Sequence, residues 1–112
     1  MIVKTHHYQF EVIFAEPASE YWVTLPPGVS AEDSGYTDFD HERIVVRADL
    51  SPAMKADCLL HEMIHAAVEA GGAADKASMK EEGWVCHTTA GLKQMLVLAD
   101  NDEVFDYLKG EL

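Results

Sequence analysis

His61-Glu62-Met63-Ile64-His65 is the stretch whose residue types and spacing could do chemistry. The pattern is H-E-x-x-H. On a helix, residues four apart lie one above the other, so His61 and His65 share a face. Their ring nitrogens can grip one tetrahedral metal ion. Glu62 can then reach a water on that metal and act as general base in a hydrolysis. With six His and eleven Glu in 112 residues, random placement gives the pattern about 3 times in 100, so the context must decide. Leu59, Leu60, Met63, Ile64, Ala66, Ala67 and Val68 surround the motif. They predict a helix that is apolar nearly all round and therefore buried. Buried imidazoles and a buried carboxylate need partners, and a metal ion would satisfy all three.

A catalytic zinc site wants three protein ligands and a water. Glu81 and Glu82 stand on the next helix. Ser78 and Glu81 have the spacing of a capping box, which gives Glu81 another task. Glu82 lies three residues before Val85, on a stripe leading to Leu92 and Leu96, so it should face the first helix. Gly83 beside it would let the two helices approach. The expected set is Zn²⁺ on His61, His65 and Glu82, with Glu81 the alternative third ligand.

These two segments, His61 to His65 and Glu81-Glu82-Gly83-Trp84-Val85, resemble the gluzincin branch of the zincin superfamily. The second is similar to the glutamate-glycine-aromatic segment of zinc aminopeptidases, with a slightly shorter spacing. The whole chain also resembles short phage and prophage zincin-domain proteins akin to ImmA/IrrE-type metallopeptidases. Gly35-Tyr36-Thr37-Asp38 and Asp100-Asn101 fit that group. The motifs cover about 25 residues specifically; the remainder matches only in layout. The resemblance implies a minimal zincin, a zinc metallopeptidase with a peptide or protein substrate.

The elements that must position these residues can be read along the chain. Tyr8, Phe10, Val12 and Phe14 alternate with Gln9 and Glu11, the mark of a half-buried strand. Tyr21-Trp22-Val23-Thr24-Leu25 reads as a second strand, ended by Pro26-Pro27-Gly28. After a polar stretch over residues 30–40, Arg43-Ile44-Val45-Val46-Arg47 reads as a third. Ile2 to Lys4 could add a short one. Ser51-Pro52 starts the motif helix and Gly71-Gly72 stops it. A second helix is predicted over residues 79–99, with Val85, Thr89, Leu92, Met95, Leu96 and Ala99 as its apolar stripe. Asp102 should cap a third, over 103–109, ended by Gly110. The fold class is α+β: a small, mostly antiparallel sheet packed on the motif helix and a second, ligand-bearing helix. The strand 43–47 is expected at the sheet edge, beside the cleft, where an extended peptide could pair with it.

One domain over 1–112 suits this length. The formal charge is −12, with eight scattered basic residues, which argues against nucleic acid as a partner. No apolar run is long enough to span a bilayer, and no apolar leader follows Met1-Ile2-Val3-Lys4, so a cytoplasmic protein without membrane partners is expected. Oligomeric state is open. Cys58 and Cys86 form no C-x-x-C pair, and each is expected as a small core residue.

The other polar candidates read more blandly. His87 and His41 are expected at the surface, His6 and His7 at a solvated strand end, and Asp75 as a loop cap. Tyr36 and Tyr107 are possible transition-state donors. Trp22 and Trp84 are expected in the core. Three function classes follow: metal-dependent peptide hydrolysis, a zinc-stapled binding module acting on a phage or host regulator, and a small acidic binding domain without metal.

Overall fold

A computed structural model describes residues 1–71 and 81–112, apart from the side chains of Glu81, Glu82 and Ala99. The elements run β1 (Ile2–Lys4), β2 (Gln9–Ala15), α1 (Glu20–Val23), β3 (Gly35–Asp38), β4 (Arg43–Arg47), α2 (Pro52–Ala70), α3 (Glu81–Val97), a 3₁₀ turn (Ala99–Asn101) and α4 (Asp102–Glu111). The class is α+β, as expected.

The sheet has four strands in the order β1-β2-β4-β3. β1 pairs antiparallel with β2 and β3 antiparallel with β4, but β2 and β4 run parallel, with Val12 opposite Ile44 and Phe14 opposite Val46. The sheet is therefore mixed: two of its three pairings are antiparallel, as expected, and the central one is parallel. β4 is central, not an edge. Its residues Ile44, Val45 and Val46 are all fully buried. An unbroken apolar run is what a strand covered on both faces needs.

Alternation divides the sheet's two faces. Phe10, Val12, Ile44 and Val46 join Leu59, Met63, Ala66 and Ala67 of α2, and Met95, Val104 and Leu108 beyond them, in the main core. Burying a side chain such as Leu59 or Met63 is worth about 1.5–3 kcal/mol. Ala15, Tyr36 and Val45 form a smaller cluster on the opposite face with Trp22. The expected strand at 21–25 is instead the helical turn α1. The indole explains the preference: Trp22 Nε1 donates to the Ala15 carbonyl at 3.1 Å, and its ring meets Tyr36 edge to face. A turn of helix delivers that ring to the sheet, overriding β-propensity.

α2 starts and stops where Ser51-Pro52 and Gly71 place it. Ser51 Oγ accepts from the Met54 N–H, and the Gly71 N–H closes on the Ala67 carbonyl. α2 is buried on one side only. Met54, Asp57, Leu60, His61, Ile64 and His65 are exposed. Asp57, His61 and His65 follow at four-residue intervals and so share a stripe.

α3 packs on α2 through small residues. A Cβ at Gly91 would collide with the Ala67 backbone, and one at Gly71 with the His87 backbone, so the glycines set how close the helices lie. The buried line of α3 includes Gly91 and Met95, while Val85 and Leu96 of the expected stripe are 52% and 72% exposed. Val85 therefore does not point toward α2, which removes the facing argument that rested on it. The Ser78 cap and Asp75 lie outside the described residues. α4 runs through Gly110, and Asn101 rather than Asp102 stands at its N-cap. No helix among the described residues is long and apolar enough to cross a membrane.

Candidate functional site

A cleft of about 520 Å³ lies between β3 and the N-terminal half of α2. Its β3 wall carries Gly35, Tyr36 and Thr37, and its helical wall carries Asp57, Cys58, His61, Glu62 and His65, with Asp33, Phe39 and Met54 at its margins.

Gly35 allows the two walls to meet. A Cβ there would lie 2.6 Å from Cys58 Sγ and 2.9 Å from the Val45 carbonyl oxygen. Both are well inside van der Waals contact, so strand and helix touch at a point no side chain could occupy. One strand position further along that face, Thr37 Oγ1 donates to Glu62 Oε1 at 3.0 Å. Glu62 is buried, its side chain 8% exposed, while the side chain of His61 is 68% exposed. The Glu62 Oε2 lies 4.0 Å from His61 Nε2, outside hydrogen-bond reach. The His61 and His65 rings stand 5.0 Å apart, centroid to centroid.

The charges in the cleft are of one sign. Asp33, Asp57 and Glu62 line it, and no Lys or Arg does so among the described residues. Burial, and after it the negative charges of Glu62 and Asp57, push the Cys58 thiol up from 9.0 to about 11. Cys58 is thus a neutral, buried thiol, as expected of a core residue, whereas Cys86 is exposed.

β3 is an outer strand, and its free side faces this cleft. The Arg47 N–H donates to the Ser34 carbonyl, which makes Gly35 and Val46 a non-hydrogen-bonded pair within the antiparallel register. The backbone N–H and C=O groups of Gly35 and Thr37 therefore point away from β4, to the open side.

No family model, curated protein or solved structure matches the chain. Among the described residues, moreover, no group of three or more His, Cys, Asp or Glu side chains is gathered to hold a metal ion. These findings overturn the zincin resemblance and the expected zinc metallopeptidase, with Zn²⁺ as cofactor and Glu62 as general base, and equally the zinc-stapled module. His61 and His65 line the cleft and Glu62 is bonded to Thr37, but no third donor is gathered with the two imidazoles among the described residues. The expected third donor, Glu82, has its side chain outside the described residues.

The remaining candidates disperse. Tyr36 donates its hydroxyl to the Tyr21 carbonyl at 2.6 Å, and burial raises its phenol above the ordinary value while Arg43 pulls the other way. Tyr107 packs against Phe14. Neither phenol is a free donor over the cleft. His41 is exposed at the surface, as expected, but holds buried Asp38 at 2.8 Å. His87 is half-buried rather than superficial, its ring nitrogen bonded to the Gly71 carbonyl at the end of α2. His6 and His7 are exposed in the turn after β1. Trp22 is core, and Trp84 is half-buried.

Sequence reasoning missed Gly35, Thr37 and Asp57 as cleft residues. The polar stretch over 30–40 concealed β3, because Gly-Tyr-Thr-Asp carries little β-forming pattern. A usable signal was Asp57-x-x-x-His61-x-x-x-His65, a polar stripe through an otherwise apolar helix. Asn101 was missed as well. It is fully buried, and its side chain accepts from the Lys4 N–H at 2.7 Å and donates to the Lys4 carbonyl at 3.0 Å and the Met95 carbonyl at 3.1 Å.

Proposed function

We propose that this chain is a peptide-recognition module that takes an extended segment of a partner protein as an added strand along β3. The observation that carries this reading is the open side of β3, with the backbone groups of Gly35 and Thr37 facing a cleft of about 520 Å³. An outer strand with unpaired polar groups is a template for another chain, and adding a strand gives affinity through main-chain bonds and specificity through side-chain pockets. Phe39 and Met54 supply apolar margins, while Asp57, His61, Glu62 and His65 supply polar contacts from α2. Glu62, expected as a catalytic base, here fixes the cleft wall by bonding Thr37 and presents its second oxygen to the ligand.

The test is chemical-shift mapping by NMR with the hexapeptide Thr-Val-Lys-Val-Thr-Val and with the same peptide N-methylated at alternate amides. The unmodified peptide should shift the Gly35 and Thr37 amides, and the N-methylated one should not. Shifts confined to other surfaces, with β3 untouched at millimolar peptide, would rule the reading out.

A further inference from the structure

We infer that the cleft selects a cationic side chain, lysine or arginine, at the position of the docked strand paired with Gly35. The inference rests on the strand-addition reading and deepens it. Paired residues in adjacent strands project to the same face of a sheet. The residue set beside Gly35 would therefore send its side chain toward α2, as Thr37 sends its own toward Glu62. Gly35 contributes no side chain to that face, and Cys58 Sγ closes on the strand there, so the docked side chain would lie beside this contact, along the carboxylates of α2.

Three observations give the place its chemistry. First, the basic side chains of the sheet region are engaged elsewhere: Lys4 with Asp100 at 2.8 Å, Arg47 with Asp49 at 2.8 Å, and Arg43 beside Asp38 at 3.6 Å. Asp33, Asp57 and Glu62 have no Lys or Arg counter-ion among the described residues. Second, Thr37 engages Glu62 Oε1, while Oε2 stands 4.0 Å from His61 Nε2 and no Lys or Arg reaches it among the described residues. An incoming ammonium or guanidinium would give that oxygen a charge-assisted hydrogen bond. Third, the fields of Glu62 and Asp57 converge on Cys58 Sγ, whose thiol they help to hold neutral. That sulfur is the atom nearest to where a Gly35 side chain would stand.

The experiment measures binding of three fluorescein-labelled hexapeptides, Thr-Val-Xaa-Val-Thr-Val with Xaa as lysine, norleucine or glutamate, to the full chain and to Asp57→Asn. Norleucine keeps the aliphatic length and removes the charge. Lysine should bind about tenfold more tightly than norleucine, through charge-assisted hydrogen bonds in a partly enclosed site, and glutamate should bind weakest. Asp57→Asn should shrink the preference for lysine over norleucine severalfold. Asp57 is exposed, so folding should survive, and Asp33→Asn gives a second reading of the same charge. Equal affinities for lysine and norleucine, with both peptides shifting the Gly35 and Thr37 amides, would overturn cation selection and leave strand docking standing. A lysine preference unchanged in both variants would also overturn it. If no peptide moves those amides, both readings fall.

Discussion

The outer strands β1 and β3 close the two sides of one sheet, yet their free backbone groups meet opposite fates. At β1, Lys4 turns its N–H and C=O outward, and the Asn101 side chain takes both, as a neighbouring strand would. The Asn101 carboxamide is buried and fully bonded, with a third bond to Met95. At β3, Gly35 and Thr37 also turn their backbone groups outward, but there they meet a cleft lined with carboxylates and imidazoles. Proteins blunt sheet edges because an open one invites pairing. One edge of the sheet is thus sealed by a buried amide, while the other stays open beside a polar cleft.

The comparison breaks most visibly at Asn101. Asn101→Ala removes three hydrogen bonds and strands the Lys4 and Met95 groups, at an expected cost of about 3 kcal/mol, read by urea denaturation. Size-exclusion chromatography should show new self-association through β1. A stability loss without any change in association would mean that Asn101 only anchors the 3₁₀ turn.

At the open edge, Gly35→Ala forces a Cβ against Cys58 Sγ and the Val45 carbonyl. Overpacking of this kind should cost about 2 kcal/mol. The double variant with Cys58→Ala should recover part of that loss, because only the sulfur clash is relieved. No recovery would place the strain wholly on the backbone of β4.

Thr37→Val keeps the shape of the cleft wall but leaves the Glu62 carboxylate without its hydroxyl donor. The expected cost is about 1 kcal/mol, with weaker peptide binding as the second readout. An unchanged melting temperature would show that Glu62 finds another donor.

The smallest effect is on pH dependence. Cys58 keeps its proton to about 11 in the folded chain, whereas an ordinary thiol loses it near 9.0. Its contribution to stability is therefore fully present below about pH 9 and lost as pH rises toward 11. Cys58→Ala should flatten the denaturation midpoint over that window. Iodoacetamide should label Cys86 well before Cys58, since Cys86 is exposed.

Local signals were legible where one short-range rule sufficed. Ser51-Pro52 and Gly71 bound α2 because capping is decided within a few residues. The alternation at Phe10 and Val12 placed β2 because a strand with one buried face repeats every two residues. The unbroken Ile44-Val45-Val46 run signals burial on both faces, which fits the central place of β4 and not the expected edge. The failures share a cause. Tyr21 to Leu25 has strand propensity, but the reach of Trp22 to Ala15 and Tyr36 decided for a helical turn. The expected stripe on α3 holds at Leu92 and Met95 but fails at Val85 and Leu96, because Gly91, not a large apolar residue, marks the contact with α2. His61, Glu62 and His65 carried the right spacing for a shared ligand, but spacing fixes only which residues share a helix, not what faces them.

By itself the sequence determined that α2 exists, where it starts and stops, which strands are apolar, and that the chain carries a strong negative charge. Each follows from interactions between residues near one another in the chain, or from counting. Only the tertiary structure decided that β2 and β4 run parallel, that β3 is the open edge, that Asn101 closes the other, and that Glu62 faces Thr37. Those outcomes depend on contacts such as Lys4 with Asn101, 97 residues apart, which form only once the core has fixed the distances between elements. No local pattern encodes them.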